Sequence, residues 1–190
     1  MESMESMKWK RIYSPVDDSV IKNLHCGDLC LITGRILTAR DKAHERIEQI
    51  LASNKNIPVE LRGETIYYSG PSPARPGAVS GAAGPTTSSR MDSYSKMMLN
   101  LGIKAMIGKG TRDNLTKELI KEYKAVYFSS FGGAGALLSK KIKSSKIIAF
   151  DDLGAEAIHE LIVEDFPVVV AIDIYGEDIY EHAVQRCRGI

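Results

Sequence analysis

Thr86, Thr87, Ser88, Ser89 and Arg90 follow a Gly84-Pro85 break, and Met91-Asp92 completes the run. Hydroxyl side chains of this kind cap helices by accepting backbone N–H bonds. Arg90 stands four residues after Thr86, so one helical turn brings its guanidinium over the same face. The first turn of a helix also has unpaired N–H groups and a partial positive charge. Hydroxyls, N–H groups and a forked cation together suit a carboxylate or a phosphate. The competing reading is a capped helix with an exposed arginine. Two further cations are placed similarly. Arg40 follows a strand and opens a helix, and Lys109 sits between Gly108 and Gly110 just past another strand. Ligands in α/β folds gather where strand ends meet helix starts. Each cation taken singly also reads as an ordinary surface charge.

The run Gly84-Pro85-Thr86-Thr87-x-x-Arg90-Met91-Asp92 does not stand alone. It occurs with Thr38-Ala39-Arg40-Asp41-x-x-His44, Tyr67-Tyr68-x-Gly70-Pro71, Gly108-Lys109-Gly110, Gly132-Gly133 and the stretch from Leu153-Gly154 to Glu164-x-Phe166-Pro167. From about Pro15 to Tyr180 this series resembles the β subunit, or C-terminal domain, of class I iron–sulfur hydro-lyases, which are the class I fumarases and L-tartrate dehydratases. The resemblance implies that Arg40, Arg90 and Lys109 bind substrate carboxylates and that Thr86 is the catalytic base. Asp41, His44 and Thr87 are the supporting residues, with Asp41 either orienting Arg40 or capping its own helix. A threonine hydroxyl is a weak base, and neighbouring cations would favour its alkoxide.

The resemblance also implies a four-iron, four-sulfur cluster with one open iron. Cys26, Cys30 and Cys187 do not match the cluster's ligand positions, so it is expected on a separate α subunit, with no metal on this chain. Each chain then supplies half of an active site, and an oligomer of the αβ pair is expected. The expected reaction is reversible hydration of fumarate to (S)-malate, a step of the tricarboxylic acid cycle. Arg90-Met91-Asp92-Ser93-Tyr94 looks more like fumarases, whereas Ser88-Ser89 departs from the small residue and glycine that many of them carry. Tartrate dehydratase is the alternative, and a non-catalytic dicarboxylate-binding module is the alternative of another class.

Composition fits these readings. The chain has 190 residues, 44% of them hydrophobic and 26% charged, which suits one domain with a real core. A net charge of +1 argues against a nucleic-acid binder, and the lysines at 140, 141, 143 and 146 read as a solvated helix end. No apolar run approaches the ~20 residues of a membrane span. Met1 to Met7 repeats Met-Glu-Ser without an apolar stretch, unlike a signal peptide, so a cytoplasmic location is expected. The three cysteines are odd in number and read as free thiols rather than disulfides or zinc ligands.

These residues need elements to position them. Residues 1–14 are set aside as an N-terminal extension, and 15–190 form the expected domain. Patterning predicts strands over 16–24 and 29–36, then a helix from a Thr38-x-x-Asp41 capping box to about Asn54. A strand at 66–68 leads into a Pro/Gly/Ser/Ala-rich loop to Pro85, long enough to be functional. A helix starting at Thr86 buries Met91, Tyr94, Met98 and Leu101 and stops at Gly102. Strands at 105–107, 125–128 and 146–150 alternate with helices from about 111 and over 134–138. Two strands, 157–163 and 167–174, precede a helix over 177–186. The pattern argues α/β with a mixed sheet and flanking helices, and the resemblance narrows it to a swivelling β/β/α domain.

Overall fold

The computed structural model describes residues 9–187 and 189. The Met1–Met7 repeat lies outside the described residues. Strands β1 (Lys10–Ser14), β2 (Leu29–Thr38), β3 (Thr65–Tyr67), β4 (Ala105–Gly108), β5 (Val126–Ser129), β6 (Ile142–Ala149) and β7 (Ile158–Ile172) make one mixed sheet. Strands β1 to β5 run parallel to their neighbours, and β7 is antiparallel to β2, β5 and β6. Because β2 pairs with both β3 and β7, the order β2-β3-β4-β5-β7 returns on itself as a closed five-strand barrel. The expected mixed sheet with flanking helices is present, and its closure is new. β1 and β6 extend from the two long strands outside the ring.

The alternation of side chains explains the two cores. Ala105, Ile107, Val126, Phe128, Val168 and Val170 pack together inside the ring. Met106, Tyr127 and Ala171 point the other way, onto Ala43 and Ile47 of α2 (Asp41–Ala52), Met98 and Leu99 of α3 (Ser95–Asn100) and Ile120 of the helix Asn114–Glu122.

Several expected elements changed. Lys10–Ser14, set aside as an extension, pairs residue by residue with β2 and buries Ile12. The strand expected over 16–24 is instead a short helix, Asp18–Ile21, because Asp17 accepts the Ser19 and Val20 N–H groups. β6 begins at Ile142, four residues early, since its Lys-Ser-Ser-Lys stretch is solvated and carries no alternation signal. The two C-terminal strands merge into β7, with Asp165 in the left-handed region at φ 49°. β2 bends at Gly34 (φ 120°), where a Cβ would overlap the Ser14 carbonyl. Among the described residues no helix is long and apolar enough to cross a membrane.

Candidate active site

β2, β3, β4 and β5 end on the same side of the barrel, and the candidate residues collect there. Arg40 follows β2, Tyr68-Ser69-Gly70 follows β3, Lys109 follows β4, and Ser130 to Gly132 follows β5. Backbone bonds lock these ends together. Thr86 N–H donates to the Tyr68 carbonyl at 2.6 Å, and Lys109 N–H donates to the Thr86 carbonyl at 3.3 Å. Ser88 N–H donates to the Lys109 carbonyl at 2.9 Å, which makes Thr87 and Lys109 bridge partners.

This pairing corrects the expected helix start. Thr86 and Thr87 are extended, and a 3-10 turn begins only at Ser88, running to Tyr94 before α3. Neither a side-chain cap at Thr87 nor free amides at Thr86 and Ser88 remain for an anion. The competition was won by the strand ends of β3 and β4, where the Tyr68 and Lys109 carbonyls satisfy those amides. Positive charge near Thr86 therefore comes from side chains.

Two of those side chains, Arg40 and Arg90, share one carboxylate. Asp41 Oδ2 accepts from Arg90 Nη2 at 2.8 Å and stands 3.9 Å from Arg40 Nε. The capping role considered for Asp41 is not seen, since α2 has no side-chain cap bond; its carboxylate is bonded to Arg90 and faces Arg40. The N–H of Lys42, in the first turn of α2, is instead bonded by the Glu156 carboxylate at 2.8 Å. The Thr38 hydroxyl does not cap α2 either; it bonds the backbone of Ala157 and His159 and ties β2 to β7. Arg40 is 3.8 Å from Glu156, and its buried Nε has no hydrogen-bond partner among the described residues. Gly70 makes room for it, since a Cβ there would lie 2.9 Å from Arg40 Nη1. Lys109 runs along Gly132, whose missing Cβ would sit 3.5 Å from the lysine Cδ. The Thr87 side chain is exposed beside this cluster.

His44 is buried between the Tyr68 and Tyr94 rings, with Nδ1 2.7 Å from the Arg40 carbonyl. A carbonyl only accepts, so Nδ1 carries the hydrogen. Burial lowers the His44 pKa to about 4 despite that bond, and the ring stays neutral at neutral pH. It fixes the backbone from which Arg40 springs. Glu156 was not found from the sequence: it lies within the Leu153–Glu164 stretch of the resemblance, but nothing in its spacing linked it to Arg40.

The thiols do not fit an iron–sulfur cluster. Cys26 Sγ lies near the Ala171 carbonyl and His182, Cys30 Sγ near the Asp28 carbonyl, and Cys187 is exposed on the helix Ile179–Cys187. Burial pushes the Cys26 thiol up to about 11 and Cys30 to about 12, whereas a cluster needs thiolates. No group of three metal-binding side chains occurs among the described residues.

The closed barrel with its flanking helices makes this an α/β domain. Comparison with known sequences gives it a family. The family described as Fumarase C-terminus matches residues 3–183. The chain is 34% identical over 157 residues to Fumarate hydratase class I, anaerobic, of Escherichia coli, covering 82% of this chain and 29% of that protein. It is 39% identical over 175 residues to "Putative L(+)-tartrate dehydratase subunit beta" of Methanocaldococcus jannaschii, covering 87% and 88%. Identity to Fumarate hydratase 2 of Leishmania major is 35% over 156 residues, covering 81% and 28%. The chain belongs to the fumarase C-terminus family. It spans under a third of those fumarate hydratases and most of the tartrate dehydratase subunit.

Proposed function

We propose that this chain is the β subunit of an iron–sulfur hydro-lyase that reversibly hydrates fumarate to (S)-malate. The observation that carries the reading is the Arg40–Asp41–Arg90 cluster, in which the buried Arg40 Nε has no hydrogen-bond partner among the described residues. An unpartnered buried guanidinium N–H is costly unless an anion completes it. One substrate carboxylate binds the part-exposed Arg40 guanidinium, and Arg90 and Lys109 hold the remaining charge. The carbon next to a carboxylate is a weak acid, so fixed cations must stabilise the negative charge that builds up as its proton leaves. Thr86 is the group that takes the proton, with its alkoxide favoured by the neighbouring cations. The cluster that supplies Lewis-acid chemistry belongs to an α partner, against which this domain swivels. The isolated chain is inactive, and the αβ pair oligomerises in the cytoplasm.

A second reading, L-tartrate dehydratase, is favoured by the relative named as subunit beta, which matches over nearly its whole length. Co-expression with an α partner under anaerobic conditions, assayed side by side on fumarate, malate and tartrate, decides between them. Thr86→Ala and Arg90→Ala are each expected to lower turnover about 10²–10⁴-fold with the complex intact. Unchanged turnover in both rejects the assigned roles. Tight dicarboxylate binding by the isolated chain in calorimetry would instead favour a stand-alone binding module.

A further inference from the structure

Arg112 lies three residues past Lys109 and turns inward from the same loop. Its side chain is 0% exposed. Nε donates to Asp92 Oδ1 at 2.5 Å and Nη2 to Ser95 Oγ at 2.8 Å. The guanidinium sits over the Tyr68 and Tyr127 rings, 5.4 and 5.1 Å from their centroids. Asp92 Oδ2 accepts the Asp113 N–H at 2.9 Å, so one carboxylate holds both ends of the Arg112 turn. Asp92 is two residues from Arg90, on the 3-10 turn that follows Thr86 and Thr87. A second clamp lies alongside. The Tyr127 hydroxyl is 2.8 Å from both Ser88 Oγ and the Gly110 carbonyl. The carbonyl can only accept, so Tyr127 donates to it and receives the Ser88 hydroxyl hydrogen.

Both clamps join the loop carrying Lys109 to the turn that carries Arg90 and follows Thr86. A buried ion pair is weak evidence for stability alone, because desolvation opposes the attraction. Its geometry is informative: a planar fork is needed to bond Asp92 and Ser95 at once while lying between two rings, which an ammonium cannot do. We infer that Arg112 is a positioning residue that sets Lys109 against Thr86 and Arg90, an inference that rests on the reading of the pocket proposed above. Arg112 itself is sealed from substrate and acts only through Lys109 and its bonded neighbours.

Two measurements test it. The first needs no activity: hydrogen exchange on the whole isolated chain, read at the Lys109 and Ser88 amides that bond Thr86 and Lys109. Arg112→Lys is expected to speed exchange at both about tenfold or more, while the Val170 amide, bonded to Asp28 on β7, is unchanged. Unchanged exchange, or an equal rise at Val170, overturns the inference. If Arg112→Lys does not fold, Ser95→Ala removes one acceptor of the fork and is expected to give a rise of about threefold at the same amides. The second is a double-mutant cycle on the co-assembled complex. If Arg112 acts through Lys109, adding Arg112→Lys to Lys109→Ala costs no further turnover, whereas independent, additive losses overturn it. A wild-type complex that turns over none of fumarate, malate and tartrate defeats the functional reading, and the exchange result still decides Arg112.

Discussion

At the residue scale, two buried positions explain why the pocket keeps its shape. His44 presents a fixed N–H to the Arg40 carbonyl and stays neutral because burial lowers its pKa to about 4 from an ordinary 6.5. The folded chain therefore binds fewer protons than the unfolded chain between those values. The stability this gives is full above pH 6.5 and is lost as pH falls toward 4, by up to about 3 kcal/mol. Urea unfolding at pH 7.5 and 4.5 is expected to show that loss in the wild type and a smaller one in His44→Gln. His159, also lowered by burial, contributes in the same direction and remains in both proteins. Gly108 is constrained by space rather than charge. A Cβ there would overlap Ser88 Oγ and lie 2.9 Å from the Tyr68 ring. Gly108→Ala is expected to cost about 1–3 kcal/mol in thermal unfolding, and Ser88→Ala in the same chain to recover part of it.

At the element scale, β1 is the piece whose role departs most from its sequence. Ile12 is buried and Ser14 hydrogen-bonds Thr65 and the Arg35 carbonyl, so β1 completes the edge of β2. Removing residues 1–14 is expected to expose that edge and produce concentration-dependent association on size-exclusion chromatography. The sequence hid β1 because Lys10-Arg11-Ile12-Tyr13-Ser14 follows a repetitive start and has only one strongly apolar residue facing the core. Elements with full periodicity were legible: α2 and the helix Asn114–Glu122 fall where Ile47, Leu119 and Ile120 predict. Arg40 and Lys109 were read as cations beside strand ends and Arg90 as one in a helical first turn; the structure joins Arg40 and Arg90 through Asp41 and pairs the Lys109 backbone with Thr86. The anion-holding amides expected at Thr86 were not found, because strand pairing is a long-range choice that local capping residues do not reveal. Glu156 and Arg112 escaped for the same reason, their partners being distant in the chain. The register that bends β2 at Gly34 likewise belongs to β7 and Ser14, not to its own neighbours.

At the scale of the whole molecule, the barrel gives one rim where four parallel strands end, with Arg40 after β2 and Lys109 after β4. The closure of that barrel has a consequence in time. Its seam pairs Leu29 with Val169 and Leu37 with Glu160, near opposite ends of the chain. During synthesis, β2 leaves the ribosome long before β7 exists. Closure of the barrel therefore waits for β7 to be made, and contacts so remote make that step slow compared with helix formation. Until then the nascent chain carries an unmatched strand flank, the period in which a chaperone has most to protect.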